Sequence, residues 1–217
     1  MPDIQVNEEL FYILLVIPVF LISITIHEYA HAAVAYRLGD PTAKNQGRLT
    51  LNPFKHIELI GSVLLPLMGL LGGGFLIGWA KPVPVNPRFF RNPLKDNASV
   101  SFAGPLSNLL FAVFFAALIG ILAGMVPEFL SQQFAYRTLI MGLYLNTILF
   151  FFNMLPIPPL DGSHILYSIF PNEGLARLMN TPYLSLGFIF LLFVTPLGSY
   201  FSLFARNAAM LLLGLFT

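Results

Sequence analysis

Residues 10–36 read LFYILLVIPVFLISITIHEYAHAAVAY, and this stretch decides the fold class. Residues 10–26 carry no charge, and the apolar pattern continues to Tyr36 around His27, Glu28 and His31. At about 1.5 Å of rise per residue, a helix of this length crosses a hydrocarbon core of about 30 Å with some tilt. The opening residues hold Asp3, Glu8 and Glu9 and no Lys or Arg. A secretory signal needs a basic start and a small-residue cleavage site, so a retained transmembrane helix is expected instead.

The whole chain agrees. It has 217 residues, 57% hydrophobic and 10% charged. An ordinary soluble domain carries about 25% charged residues, and far fewer leave large apolar patches facing water. Lys and Arg, 11 together, nearly cancel the 10 acidic residues. That balance gives no basic patch for nucleic acid. Cysteine is absent, so any metal must be held by His, Asp or Glu. Residues 102–126 and 139–155 form two further uncharged runs. A fourth, 184–203, carries Pro196 and Gly198 and is expected to bend or break; residues 208–216 are too short to cross alone. The expected fold is an all-α polytopic membrane protein in one domain, residues 1–217, with five to six membrane segments. Its core spans residues 10–170, with C-terminal membrane segments in 183–217.

Residues 57–79 resist the simple reading. They are apolar, yet contain Gly72, Gly73 and Gly74 and lie between two basic loops. Arg37, Lys44, Arg48 and Lys55 precede them; Lys81, Arg88, Arg91 and Lys95 follow. The positive-inside rule places both loops in the cytoplasm, which one crossing cannot do. A re-entrant segment can, with a helical first half, a glycine turn and an extended β-like return along residues 75–85. Non-helical backbone at that depth is tolerated only inside protein or beside a water-filled cavity.

His27-Glu28-Tyr29-Ala30-His31 is an H-E-x-x-H motif. His at i and i+4 project from one helical face and can hold one zinc ion, while the Glu beside it can take a proton from water. Core histidines satisfied by neighbours are the bland alternative, but an ionisable group inside a membrane helix is costly and defaults to function. A catalytic zinc needs a third protein ligand and an open position. Asp161 is an acid in a strongly apolar context, in NMLPIPPLDG at residues 153–162. Prolines break the preceding helix and Gly162 frees the backbone beyond. A metal ligand and a helix-cap Asp, opening a short helix at 163–170, both fit this position. With an external N-terminus and a re-entrant 57–85, the 139–155 helix delivers Asp161 to the cytoplasmic-side depth of the histidines.

These residues resemble the site-2 protease family of intramembrane zinc metalloproteases. The resemblance runs from residue 26 to about 166 and rests on HEYAH, on AGPLSN at 103–108 and on NMLPIPPLDG. It extends to GRLTLNP at 47–53 with His56, and to GWAKPVPVN at 78–86. It is closest to the compact prokaryotic type without PDZ or cystathionine-synthase-type domains. It implies His27, His31 and Asp161 as ligands of one Zn2+, Glu28 as general base, and a site reached by water from the cytoplasmic side. It also implies an oxyanion-stabilising role for Asn153, against which stands interhelical hydrogen bonding. Asn108 is expected to pack or hydrogen-bond near the site. His56 is expected as an interfacial residue of a basic loop, with an undefined role near substrate, and His164 as a neighbour of the ligands or an interfacial group. The extended return could pair with an unwound substrate by strand addition, along one edge because Pro82 and Pro84 lack donors.

The function expected is zinc-dependent cleavage of peptide bonds in or next to a transmembrane helix of a substrate protein, in a prokaryotic cell membrane. A membrane zinc transporter or sensor using the same ligands is the alternative. The partners are the lipid bilayer and a membrane-protein substrate, not nucleic acid; oligomeric state is left open.

Overall fold

The computed structural model describes residues 8–73, 78–126, 128, 133–181, 187 and 195–217. Helix α1 spans Glu8–Arg37 with Pro18 inside it. The connection to the next long helix holds a short α2 (Thr42–Asn45), a π-helical turn at Leu59–Leu64 and α3 (Leu65–Gly73). Then follow α4 (Pro93–Met125), α5 (Gln133–Asn153), α6 (Asp161–Ile169), α7 (Glu173–Met179) and α8 (Pro196–Leu213). Three helical stretches are long and apolar enough to cross a membrane: Leu15–Arg37, Pro93–Met125 and Phe134–Asn153. These correspond to the three expected core helices, and the architecture is helical.

Boundaries differ from expectation where polar residues continue a helix. Helix α4 begins at Pro93 instead of residue 102, because Lys95 and Asp96 end the apolar run without ending the helix. Pro93 occupies the first turn, where a missing N–H costs nothing, and the Asp96 carboxylate accepts the Asn92 N–H at 2.9 Å. At the C-terminus, Pro196 starts α8, within the run where a bend or break is expected, and residues 208–213 continue the helix. The remainder of the expected 184–203 run, apart from residues 187 and 195, lies outside the described residues.

Helices α1 and α4 lie antiparallel in one register. Ser23, His27, His31 and Ala35 recur every four residues on α1 and are buried. Opposite them on α4 stand Asn108, Gly104 and Val100: Ser23 O meets Asn108, both imidazoles meet Gly104, and Ala35 packs with Val100. The four-residue period is what aligns one face of a helix, so this ladder places the end of α1 beside the beginning of α4. Helix α4 also packs against α5, α6 and α8. Small residues at Ala112 and Ala116 on α4, Gly142 on α5 and Ala209 on α8 let the backbones approach closely, the usual basis of helix association in lipid.

Gly72 and Gly73 are helical, and the expected turn at Gly74 with residues 75–77 lies outside the described residues. No strand occurs among the described residues. Residues 78–86 have no regular hydrogen-bonded structure, because their inward groups bond to other elements. Trp79 N–H donates to Gly61 O at 2.9 Å, and Ser62 Oγ donates to Trp79 O at 2.7 Å. The chain after residue 77 thus lies against the beginning of the π-helical turn. A Cβ at Gly61 would strike the Trp79 indole.

Trp79 is the single tryptophan, so this docking is directly visible. Gly61→Val is expected to displace the indole and lower its fluorescence anisotropy. Gly124→Ala, at a position with open space around it, should leave the signal unchanged.

Candidate metal centre

His27 and His31 stand one turn apart on α1, and Asp161 is the first residue of α6. Its N-cap position belongs to Leu160, so the carboxylate is not spent as a cap. Proline ends α5 and re-aims the chain between residues 153 and 161. Gly162 lies so close to the Met154 and Leu155 carbonyls that a Cβ would collide with them. Helix α6 packs on α4, which carries Asp161 to the histidine face of α1.

The resulting triangle is small. His27 Nε2 and His31 Nε2 are 3.0 Å apart; Asp161 Oδ2 is 3.2 Å from the first and Oδ1 3.4 Å from the second. A tetrahedral zinc with bonds near 2.0–2.1 Å has ligand-to-ligand edges of about 3.3 Å, so these spacings fit one ion. The donor set, two imidazoles and one carboxylate, is that of a catalytic zinc with a fourth position open. Nδ1 of His31 lies 2.7 Å from Val100 O, which can only accept. Its proton is therefore on Nδ1, and the Nε2 lone pair faces the triangle. Nδ1 of His27 lies 2.7 Å from Asn108 Oδ1. Both imidazole rings are oriented from α4, the arrangement in which an outer acceptor usually fixes a metal-binding histidine.

Glu28 is buried beside the triangle. Its Oε2 accepts the Val83 N–H at 2.7 Å. Val83 is the residue between two prolines, and its N–H is thus the donor of that stretch. Trp79 and Lys81, at alternate positions before it, and Asn86 after it bond inward as well. Lys81 N–H donates to His56 O at 2.9 Å, and Arg48 Nη2 donates to Lys81 O at 2.6 Å. Asn86 N–H donates to Asp40 Oδ2 at 2.7 Å. Among the described residues, none bonds to the backbone groups of Gly78, Ala80, Pro82 or Pro84.

The remaining expected residues are placed as follows. Asn108 is fully buried on α4 and touches His27. His56 is fully buried rather than interfacial: its Nε2 donates to Thr50 O at 2.8 Å and its carbonyl holds Lys81, so it ties a loop to the 78–86 segment. His164 lies one turn beyond Asp161 on α6, partly covered; burial lowers its pKa, with Asp161 pulling the other way. Asn153 closes α5 and gives one amide proton to Leu149 O at 3.0 Å, with no hydrogen bond to the triangle.

Sequence reasoning missed Gly104, Val100, Val83 and Asn146. Gly104 was visible as a glycine inside an uncharged membrane run, where close approach is its usual use. The Val100 carbonyl and the Val83 N–H are backbone groups and leave no residue-type signal. A Cβ at Gly104 would occupy the space of both His Nε2 atoms. Alanine is the better helix former by about 1 kcal/mol. Gly104→Ala should therefore keep the helical circular-dichroism signal and lose bound zinc, read by metal analysis of the purified protein.

Comparison with known proteins follows the same residues. The family model described as peptidase family M50 matches residues 15–141 and 125–194. The protein named "Putative zinc metalloprotease YwhC" from Bacillus subtilis (strain 168) is 44% identical over 187 residues, covering 83% of this chain and 80% of that protein. "Putative zinc metalloprotease Rip2" from Mycobacterium tuberculosis (strain H37Rv) is 30% identical over 182 residues, 84% of this chain and 67% of that protein. Its namesake from Mycolicibacterium smegmatis is 33% identical over 153 residues, 69% of this chain and 54% of that longer protein. No solved structure gives a significant match. Identity at this level over most of the chain is membership: the protein belongs to peptidase family M50, the site-2 protease family, and is a zinc metalloendopeptidase of the membrane.

Proposed function

We propose that the enzyme cleaves peptide bonds within or beside transmembrane helices of other membrane proteins, with His27, His31 and Asp161 holding one zinc and Glu28 as general base. The observation that carries this reading is the donor triangle, two of whose members stand on a helix apolar enough to cross a membrane, with Glu28 beside it. When bound, zinc supplies a Lewis acid that makes water acidic and polarises the scissile carbonyl. Glu28 takes the water proton at Oε1 while Val83 N–H holds Oε2, then returns it to the leaving amine. Asn153 has a second amide proton to offer the developing oxyanion.

The 78–86 segment is the proposed substrate edge. A helical substrate shields its carbonyls with internal hydrogen bonds and must unwind before attack. The outward groups from Gly78 to Pro84 support docking of an extended chain: Ala80 offers a donor, while Pro82 and Pro84 offer carbonyls alone, so the substrate would supply N–H groups there. The inward edge is already committed to Gly61, His56, Arg48 and Glu28.

Topology follows from charge and register. The end of α1 lies beside the start of α4, so the connection between them leaves from and returns to one side. Arg37, Lys44, Lys55, Lys81, Arg88, Arg91 and Lys95 on that connection and at its borders are exposed. This supports a re-entrant 57–85, an external N-terminus and a site opening toward the cytoplasm of a prokaryotic cell.

Glu28→Gln is expected to keep zinc and lower cleavage of a co-reconstituted transmembrane substrate by about 10²–10⁴-fold. Unchanged cleavage would overturn the mechanism. Val83→Pro removes one N–H from a segment already extended. Loss of a hydrogen bond to a charged group, worth about 1.5–3 kcal/mol, should appear in kcat as about 10–100-fold. Val83→Ala keeps the N–H and should stay near wild type.

A further inference from the structure

Behind His27 lies a run of polar side chains that the mechanism above does not use. Asn108 on α4, Asn146 on α5 and Ser23 on α1 are each fully buried. Asn146 Nδ2 donates to Gly142 O at 2.8 Å and to Ser23 Oγ at 2.9 Å. Ser23 Oγ passes its own proton to Val19 O at 2.8 Å. Asn146 Oδ1 accepts from Asn108 Nδ2 at 3.0 Å, and Asn108 Nδ2 also faces Ser23 O at 3.4 Å. Asn108 Oδ1 then stands 2.7 Å from His27 Nδ1.

The direction of this chain is forced. Gly142 O can only accept, so the Asn146 amide must turn its nitrogen there and its oxygen toward Asn108. That oxygen can only accept, so Asn108 turns its nitrogen toward Asn146 and its oxygen toward His27. An amide oxygen facing Nδ1 requires the His27 proton on Nδ1, which leaves the lone pair on Nε2, inside the metal triangle. Without the Asn146 oxygen, the long 3.4 Å contact to Ser23 O would be the remaining hold on the Asn108 nitrogen, and Asn108 could turn to present that nitrogen to Nδ1. His27 would then carry its proton on Nε2, where it blocks the metal.

We infer that Asn146 is a positioning residue for zinc binding: from α5 it fixes the Asn108 amide and, through it, the tautomer of His27. The inference rests on the zinc-ligand reading of His27. It assigns α5 a part in the site beyond carrying the chain to Asp161, since three helices must be docked before one ligand is primed.

The test uses the full-length protein in detergent, with zinc affinity measured by competition with a chromophoric chelator. Asn146→Leu, close in size, is expected to bind zinc about 10-fold more weakly, the lower end for outer-sphere partners. Asn108→Leu should weaken it at least as much. Because the two act in series, Asn146→Leu should add nothing in the Asn108→Leu background, whereas two merely structural packing defects would add. Asn146→Asp keeps the acceptor toward Asn108 and should hold affinity within threefold of wild type, a readout that stands if the leucine variant does not fold. In the zinc-loaded wild type, ¹⁵N-histidine spectra should show His27 bound through Nε2 with a proton on Nδ1. Wild-type affinity for Asn146→Leu, additive effects in the double variant, a 10-fold loss in Asn146→Asp, or His27 bound through Nδ1 would each overturn the inference. Failure of the wild type itself to bind zinc would instead remove the metal reading beneath it.

Discussion

Two imidazoles and a carboxylate within 3.4 Å of one another make a costly arrangement in an apolar interior, and most of the fold can be read as what holds it. A buried ionisable group without a partner costs several kcal/mol, and the cost falls when an opposite charge shares the space. The three donors come from two helices far apart in sequence, α1 and α6, and both are docked on α4. That helix contributes no ligand. It contributes a glycine where a side chain would collide with both imidazoles, a carbonyl for one imidazole and an amide for the other. The four-residue register of α1 against α4 is thus the constraint from which the site follows.

The second debt of the site is to residues 78–86. Their inward backbone groups are held by Gly61, Ser62, His56, Arg48, Glu28 and Asp40, six partners from four separate parts of the chain. Prolines at 82 and 84 remove competing donors, so the Val83 N–H is left for the Glu28 carboxylate. Glu28 and the segment are therefore coupled: a displacement of the segment changes what Glu28 is bonded to. Arg48 matters for the same reason. It is the buried member of the basic loops, and its guanidinium fixes the Lys81 carbonyl two residues before Val83.

Much of this was legible in the sequence because lipid makes polar residues conspicuous. Residue runs of 102–126 and 139–155 gave two helices and HEYAH gave the ligand face of a third, and each has its counterpart among the described residues. Asp161 stood out as an acid in an apolar, proline-broken stretch. What was not legible depends on backbone groups or on geometry between distant segments. His56 read as an interfacial residue of a basic loop, yet tertiary packing buries it completely. The return segment read as β-like, yet its inward N–H groups meet a loop, a π-helical turn and a carboxylate in place of a strand. Helix α4 begins before its apolar run, since Asp96 serves the helix start and need not end it.

Zinc K-edge absorption on the full-length protein in lipid nanodiscs is the most direct measurement of the central claim. A single zinc with two imidazole nitrogens and carboxylate oxygen at about 2.0–2.1 Å is predicted, with the oxygen shell altered in Asp161→Ala and imidazole scattering halved in His31→Ala. A six-oxygen shell without imidazole, or a spectrum indifferent to both substitutions, would contradict a centre built from His27, His31 and Asp161.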